Sequence, residues 1–370
     1  MISKVLITGG AGFIGSHLAR ELLRANYQVR VLDNLDPQVH PNRSRPPYLD
    51  ADVELMVGDV SDGAAVTRAL EGVDMVCHLA AKVGVGQSMY EIVRYTQVNE
   101  IGTAVLLEKL AESSVQKLLV ASSMSIYGEG LASDGAEHIE PPPRSSEQLK
   151  AGRWDVEAPD GTVLEPVATP ESKSASLSSI YALNKYVQEK MCLIWGQAYG
   201  RQVTAMRFFN VYGPDQALSN PYTGVLAIFG ARLLNGRPAL VFEDGLQRRD
   251  FVHVRDVARA CRLALESEAA AGHAINVGSG ESRSILDVAH SLAKAMCRND
   301  ITPHITGKYR AGDIRHCFAN ISRAKTLLGF SPQVEFDQGM AELVDWLAGQ
   351  VAIDSVEQAT EELARRGLVA

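Results

Sequence analysis

Seven residues near the start of the chain, Gly9-Gly10-Ala11-Gly12-Phe13-Ile14-Gly15, constrain the fold more than any other stretch. They follow a short apolar run, Lys4-Val5-Leu6-Ile7-Thr8. A helical-period stretch to Arg24 comes next, and then a second apolar run ending in Asp33. Strand, glycine turn, helix and strand in that order make the unit in which glycines let the backbone approach a pyrophosphate at a helix N-terminus. An acid about 20 residues on then binds the ribose hydroxyls. A merely tight turn would not require Gly9, Gly12 and Gly15 together. A dinucleotide is therefore expected against Gly9, Gly12, Phe13, Ile14 and Gly15, with Asp33 and Asn34 at the ribose. Asp33 favours NAD over NADP: its carboxylate accepts hydrogen bonds from free 2'- and 3'-hydroxyls and would repel a 2'-phosphate, and no Arg follows until Arg43.

Beyond this unit the pattern goes on alternating, which predicts an α/β fold with a doubly wound parallel sheet covered on both faces. Val53–Asp59 reads as a third strand, Met75–Ala81 as a fourth, Lys117–Ser123 as a fifth, Gln202–Phe208 as a sixth and Ala274–Val277 as a seventh. Ligands of open α/β sheets bind beyond the carboxyl ends of strands, so Asp59, Ala80, Ala81 and Ser123 are expected around one crevice. Asn99, before a helix starting near Gly102, is a further candidate. Tyr181 to Tyr199 reads as a helix with Val187, Met191, Ile194 and Trp195 on one apolar side. Leu131 to Ser178 lacks periodicity and reads as an inserted arm, either a functional lid or a disordered segment. The dinucleotide-binding domain is placed at 1–210 and 250–278, with the arm at 131–178. A smaller mixed α/β substrate lobe is placed at 211–249 and 279–350. The tail is placed at 351–370, and its charged stretch from Asp354 to Arg366 reads as a solvated surface helix.

At 46% hydrophobic content, 370 residues can bury one large or two modest cores. A net charge of -8, with Lys and Arg scattered, argues against a nucleic-acid surface. No run approaches a membrane span, and the first strand starts too close to Met1 for a signal peptide, so a cytoplasmic protein with no membrane partner is expected. Cys77, Cys192, Cys261, Cys297 and Cys317 show no C-x-x-C spacing; reduced thiols are expected, without zinc or a disulfide framework. No metal site is expected.

Chemistry concentrates in Ser123 and in Tyr181-Ala182-Leu183-Asn184-Lys185. At i and i+4 the Tyr and Lys side chains share a helix face, so the ammonium is expected to lower the phenol from its usual value of about 10. A phenol tuned in this way acts as a base near neutral pH.

With those residues in view, the chain resembles an extended short-chain dehydrogenase/reductase of the nucleotide-sugar epimerase/dehydratase family. The resemblance spans Gly9, Gly12 and Gly15, Asp59-Val60, His78-Leu79-Ala80-Ala81, Asn99, Ser122 to Gly128, Tyr181 with Lys185, Arg207 to Pro214, and Arg249 to Val254. It implies the Rossmann form of the sheet, NAD as cofactor and a nucleotide-diphosphate sugar as substrate. By resemblance Tyr181 is the catalytic base, Lys185 binds the nicotinamide ribose, and Ser123 hydrogen-bonds the reacting sugar oxygen. Asp59, Val60, Leu79, Ala80, Ala81, Asn99 and Phe208 are implied as further cofactor contacts. Val83, Ser125, Asn210, Val225, Phe242, Arg249, Arg310 and Asp313 are implied as substrate contacts, the arginines for the diphosphate. A homodimer through the helix after Asn99 and the helix carrying Tyr181 is implied too.

One departure narrows the reaction. Sugar 4,6-dehydratases and related decarboxylases of this family carry a Glu, often after an Asp, two positions before the Tyr-Gly; this chain has Met124 and Ser125 there. Elimination across C5 and C6 then lacks its acid, which favours a 4-epimerase working through a transient 4-keto sugar. The arm, the run Asn220-Pro221-Tyr222-Thr223-Gly224-Val225 and Phe242-Glu243-Asp244-Gly245 are most similar to bacterial members acting on dTDP-L-rhamnose. The alternatives are a UDP-hexose or UDP-uronate 4-epimerase, a nucleotide 4-ketosugar reductase, and a catalytically silent NAD sensor. The intact Ser123, Tyr181 and Lys185 weigh against the sensor, and Asp33 weighs against an NADPH-consuming reductase.

Overall fold

In the first strand, Lys4–Thr8, consecutive Val5, Leu6 and Ile7 are all fully buried. A strand with no polar face must be covered on both sides, which places it inside a parallel sheet flanked by helices. The computed structural model, which describes residues 2–218, 220, 222, 224–310, 312–351, 354 and 356–369, has that arrangement. Seven parallel strands lie in the order Glu54–Val57, Gln28–Asp33, Lys4–Thr8, Met75–His78, Lys117–Ser123, Gln202–Phe208, Ala274–Val277. The order reverses between Lys4–Thr8 and Met75–His78, opening a crevice beyond their carboxyl ends. Register sets Thr8 beside His78 and Ser123 beside Phe208, so these residues emerge at one edge.

One face of the sheet is covered by Phe13–Arg24 and Val254–Glu266 through Leu18, Leu22, Val257 and Cys261. The other is covered by Gly63–Leu70, Gly102–Ala111 and Ile180–Tyr199 through Val66, Leu106, Cys192 and Trp195. A separate core of Tyr212, Phe229, Val241, Leu292 and Leu343 joins the helices Val225–Leu234, Ile285–Ala295 and Phe336–Leu347.

Several expectations change. The third and fourth strands stop at Val57 and His78, so Gly58-Asp59 and Leu79 to Ala81 run past the ladder as loop and face the crevice. Of the apolar side read from the helix Ile180–Tyr199, Trp195 is buried and Val187 and Met191 partly so, but Ile194 is 65% exposed, while Lys185, Gln188 and Glu189 face inward. This helix packs against the functional end of the sheet, so its buried face carries polar groups that find partners there. Asn99 does precede the helix Gly102–Ala111, but within a widened helical turn, Gln97–Ile101, that joins it to Ile92–Thr96. Such wider turns re-aim a side chain.

The arm is ordered. Ala132–Ser133 pairs with both His138–Ile139 and Glu165–Pro166, and Thr169 exchanges backbone bonds with Phe318 and Asn320. The tail is docked rather than solvated: its helix Val356–Arg365 buries Leu363 beside Gly86, Arg366 lies 4.3 Å from the Tyr90 ring centroid, and Asp354 pairs with Arg232 at 3.2 Å. Among the described residues no helix is long and apolar enough to cross a membrane.

Candidate active site

The glycine turn fits a dinucleotide on geometry alone. Gly9 has φ +70°, and a Cβ there would come within 2.7 Å of the Ala80 nitrogen; one at Gly15 would come within 2.5 Å of the Gly10 Cα. A Cβ on Gly12, by contrast, would meet only the Gly9 carbonyl, at 3.4 Å, so its open side faces the cleft. The helix Phe13–Arg24 has neither a side-chain cap nor an acid in its first turn, leaving its N–H groups and the positive end of its dipole for an anion. Asp33 closes the turn as well as facing the cleft, since its carboxylate accepts from the Ala11 N–H at 3.0 Å and the Leu35 N–H at 2.9 Å. Asn34 donates to Asp59 at 2.9 Å.

A cavity of about 350 Å³ runs along these residues. Gly9, Gly12, Phe13, Ile14 and Gly15 line it, as do Asp33, Asn34, Asp59 and Val60. Leu79, Ala80, Ala81 and Val83 form one side, and Ser123, Tyr181, Lys185 and Phe208 close its far end. The arginine-free lining suits a free ribose rather than a 2'-phosphate. Its lysine nearest Asp33 in the chain after the turn, Lys82, is engaged with Asp36 at 3.1 Å and Gln38 at 3.0 Å. His40, 4.0 Å from Asp33, is held by burial below its ordinary value. Asn99 does not reach the cavity: fully buried behind it, it pins both the N–H (2.7 Å) and the carbonyl (3.0 Å) of Lys82.

Ser123 ends its strand and caps the short turn Met124–Tyr127, accepting from the Ser125 N–H at 3.1 Å and donating to the Ser125 hydroxyl at 3.1 Å. Tyr181 sits in the first turn of its helix, which Ser179 caps, and its N–H donates to Ser88 at 3.0 Å. Lys185 is buried, its ammonium donates to the Ala121 carbonyl at 2.9 Å, and burial pushes it down to about 8. The expected lowering of the phenol by Lys185 is absent: burial holds Tyr181 above its ordinary value, and the opposing pull comes from Ser123. The ammonium spends itself on a strand carbonyl, so desolvation governs the phenol.

Behind Lys185, His78 bonds Thr8 at 2.7 Å and Thr103 at 2.9 Å, and burial, reinforced by the Lys185 charge, pushes it down to about 3. His253 and His316 are likewise pushed down to about 3 by burial. The unfolded chain takes up protons at these sites below about pH 6.5, and the folded chain refuses them. Their contribution is intact above that pH and lost as pH falls, at up to about 1.4 kcal/mol per pH unit each. Asp250, raised to about 6 by burial, acts oppositely between its unfolded and folded values, one group against three. The melting temperature is therefore expected to fall steadily between about pH 6.5 and 5; a flat or rising profile would contradict this.

A buried ion pair that sequence reasoning missed ties the strand ending in Ser123, the helix carrying Tyr181 and the strand Gln202–Phe208 together. Arg207 donates to Glu189 at 2.6 and 2.9 Å and to the Tyr127 hydroxyl at 2.8 Å, Ser122 donates to Glu189 at 2.7 Å, and Tyr127 donates to Asn276 at 2.7 Å. The one available signal was the placement of Glu189 four residues after Lys185, on the same helix face.

The remaining candidates do not line the cavity. The Arg310 guanidinium lies 4.9 Å from the Phe242 ring centroid and 2.8 Å from Asp313, and Arg249 reaches Asp313 at 3.7 Å. Asn210 lies in a short strand, Asn210–Tyr212, with its side-chain oxygen buried and unpartnered, and Val225 opens the helix Val225–Leu234. Ser125 is held by Ser123. Of the run Asn220 to Val225, Pro221 and Thr223 fall outside the described residues, and Asn220 lines the cavity.

The family model described as the NAD dependent epimerase/dehydratase family matches residues 5–148 and 159–278. The chain belongs to this family. A dTDP-L-rhamnose 4-epimerase of Burkholderia thailandensis is 36% identical over 354 residues, 94% of this chain and 96% of that protein. The crystal structure of the Thermus thermophilus UDP-glucose 4-epimerase complex with NAD has a TM-score of 0.75 at 31% identity, covering 94% of this chain and 100% of that one. A Bacillus cereus UDP-glucuronic acid 4-epimerase, in complex with UDP-glucuronic acid and NAD, has a TM-score of 0.75 at 27% identity, covering 93% and 99%. As in its family, the enzyme is NAD-dependent, and the glycine turn, Asp33 and the arginine-free cavity suit that cofactor.

Proposed function

We propose that this enzyme inverts C4 of a nucleotide-diphosphate sugar. The observation that carries the reading is the meeting of Ser123, Tyr181 and Lys185 at one end of the dinucleotide cleft, with no acid at Met124 or Ser125. Met124 packs into a core with Ile126 and Phe209, and Ser125 bonds Ser123, so neither supplies the proton donor a dehydratase needs. Tyr181 accepts the proton of the 4-hydroxyl and later returns it, and Ser123 holds the same oxygen. Lys185, on the next turn, is placed for the nicotinamide ribose. The chemistry NAD supplies there is reversible hydride transfer at C4. We assign Arg249, Arg310 and Asn210 to the diphosphate, Phe242 to the nucleotide end and Val83 to the sugar side, supported by the clustering of Arg249, Arg310 and Phe242 around Asp313 and by Val83 in the cavity wall.

The sugar we infer is dTDP-L-rhamnose, with dTDP-6-deoxy-L-talose as the other epimer, supported by the 36% identity to a relative of that activity along nearly the whole of both chains. UDP-hexose and UDP-uronate epimerases, also matched, supply the second reading. Incubation with a panel of dTDP- and UDP-sugars, read by NMR, tests both; no change in any C4 configuration would refute them. We also infer a homodimer, supported by Ile101, Leu183 and Ile194, which are 52%, 41% and 65% exposed on neighbouring helices.

A redox-neutral cycle needs no cofactor exchange, so denatured protein is expected to release NAD near one equivalent per chain. NADP in that extract, or a stoichiometric demand for NADPH, would contradict the cycle.

A further inference from the structure

The family match stops at residue 148 and resumes at 159, so the stretch between lies outside it. That stretch is built into the protein all the same: Trp154 lies 6.2 Å from the Tyr309 ring, Asp155 bonds Arg315 at 2.9 Å, and Val156 is buried. Arg144, on the same arm, is the hub. Its buried guanidinium donates to Glu129 at 3.0 Å, the Trp154 carbonyl at 3.0 Å, Glu243 at 2.8 Å and the Asp313 carbonyl at 3.1 Å. A planar fork of donors can join four segments in this way, where a point charge on a flexible stem cannot.

Two of those segments carry candidate substrate groups. Glu243 follows Phe242 and, at φ +52°, takes a backbone conformation that ordinary side chains avoid; Arg144 and Arg315, at 3.1 Å, share its buried carboxylate. Asp313 is the carboxylate on which Arg249 and Arg310 converge. Tyr309, which Trp154 packs against, immediately precedes Arg310.

We propose that the arm builds the subsite for the nucleotide end of the substrate, with Arg144 as its positioning residue and Trp154 as its outer support. Arg144 fixes the Glu243 carboxylate next to Phe242 and the Asp313 carbonyl three residues after Arg310, so an aromatic face for the base and guanidinium groups for the diphosphate are held ready before binding. A diphosphate must draw Arg249 and Arg310 away from Asp313, and the grip of Arg144 on the Asp313 carbonyl keeps that loop from following them. This inference rests on the nucleotide-sugar reading above.

The test is calorimetric titration of the purified protein, with its NAD, using dTDP and UDP. Arg144→Lys keeps the charge and loses the fork. It is expected to raise Kd for the better-bound nucleotide about tenfold or more, with KM for the nucleotide sugar rising in step, kcat within about threefold and NAD content unchanged. Trp154→Ala is expected to raise Kd about threefold or more, and Arg153→Ala, on the exposed side of the arm, to change nothing. Kd within about twofold of wild type in both variants, even with a lowered melting temperature, would make the arm structural only and overturn the proposal. If Arg144→Lys fails to fold, Trp154→Ala decides by the same criterion. A wild type that binds neither dTDP nor UDP would overturn the nucleotide-sugar reading as well.

Discussion

Tyr181→Phe is expected to lower turnover by a factor of about 100 to 10,000, the usual worth of a general acid-base group, while the melting temperature stays within about 2 °C. The ring is half-buried and keeps its packing, and the helix keeps the Ser179 cap. The other two polar groups of the far wall carry structural bonds. Lys185 is committed to the Ala121 carbonyl and Ser123 to Ser125. A loss of less than about tenfold, with an unchanged melting temperature, would mean that another group is the base. Since burial holds the unliganded phenol above its ordinary value, a working base near neutral pH needs the positive charge that arrives with bound cofactor. The apparent pKa of Tyr181, followed by its ultraviolet difference spectrum, is accordingly expected to be lower with NAD bound than in protein stripped of it.

Arg207→Met is expected to cost about 3 to 5 kcal/mol of stability and to lower the melting temperature by roughly 5 °C, because it leaves Glu189 charged and buried. Glu189 is fully buried and accepts from Arg207 twice and from Ser122 once. Removing both partners, as Glu189→Leu with Arg207→Met, is expected to recover part of that loss, since desolvation of two charges disappears with their attraction. Chemical denaturation of the three variants measures it. A single substitution costing less than about 1 kcal/mol would show that water or a shifted side chain compensates the carboxylate.

Much of the scaffold was readable because each strand is a short apolar run ending in a small or polar residue, and the glycine turn sets the order of the first three elements. Strand limits at Lys117–Ser123, Gln202–Phe208 and Ala274–Val277 follow from that pattern, and so does the convergence of Asp59, Ala80, Ala81 and Ser123 on one crevice. What stayed hidden depends on residues distant in sequence. The inward face of Ile180–Tyr199 is polar because Glu189 meets Arg207 and Gln188 meets Thr103, pairings that no periodicity encodes. The arm lacks a hydrophobic period because buried arginines hold it: Arg144 and Arg315 reach carboxylates up to 160 positions away in the chain. The electrostatics of Tyr181 were misread for a related reason. Spacing on a helix reveals a shared face, but desolvation and the competing Ala121 carbonyl belong to the folded environment.

Inversion by hydride transfer at C4 is the central claim, and isotope tracing tests it most directly. Hydrogen moved as hydride between sugar and cofactor never enters solvent. Nucleotide sugar deuterated at C4 is therefore expected to give the epimer with deuterium still at C4, and reaction in heavy water is expected to leave every carbon-bound position unlabelled. Deprotonation at C3 or C5 would hand an acidic hydrogen to a side chain in contact with water. Deuterium washed out of C4, or appearing at C3 or C5 of the product, would contradict the 4-epimerase account.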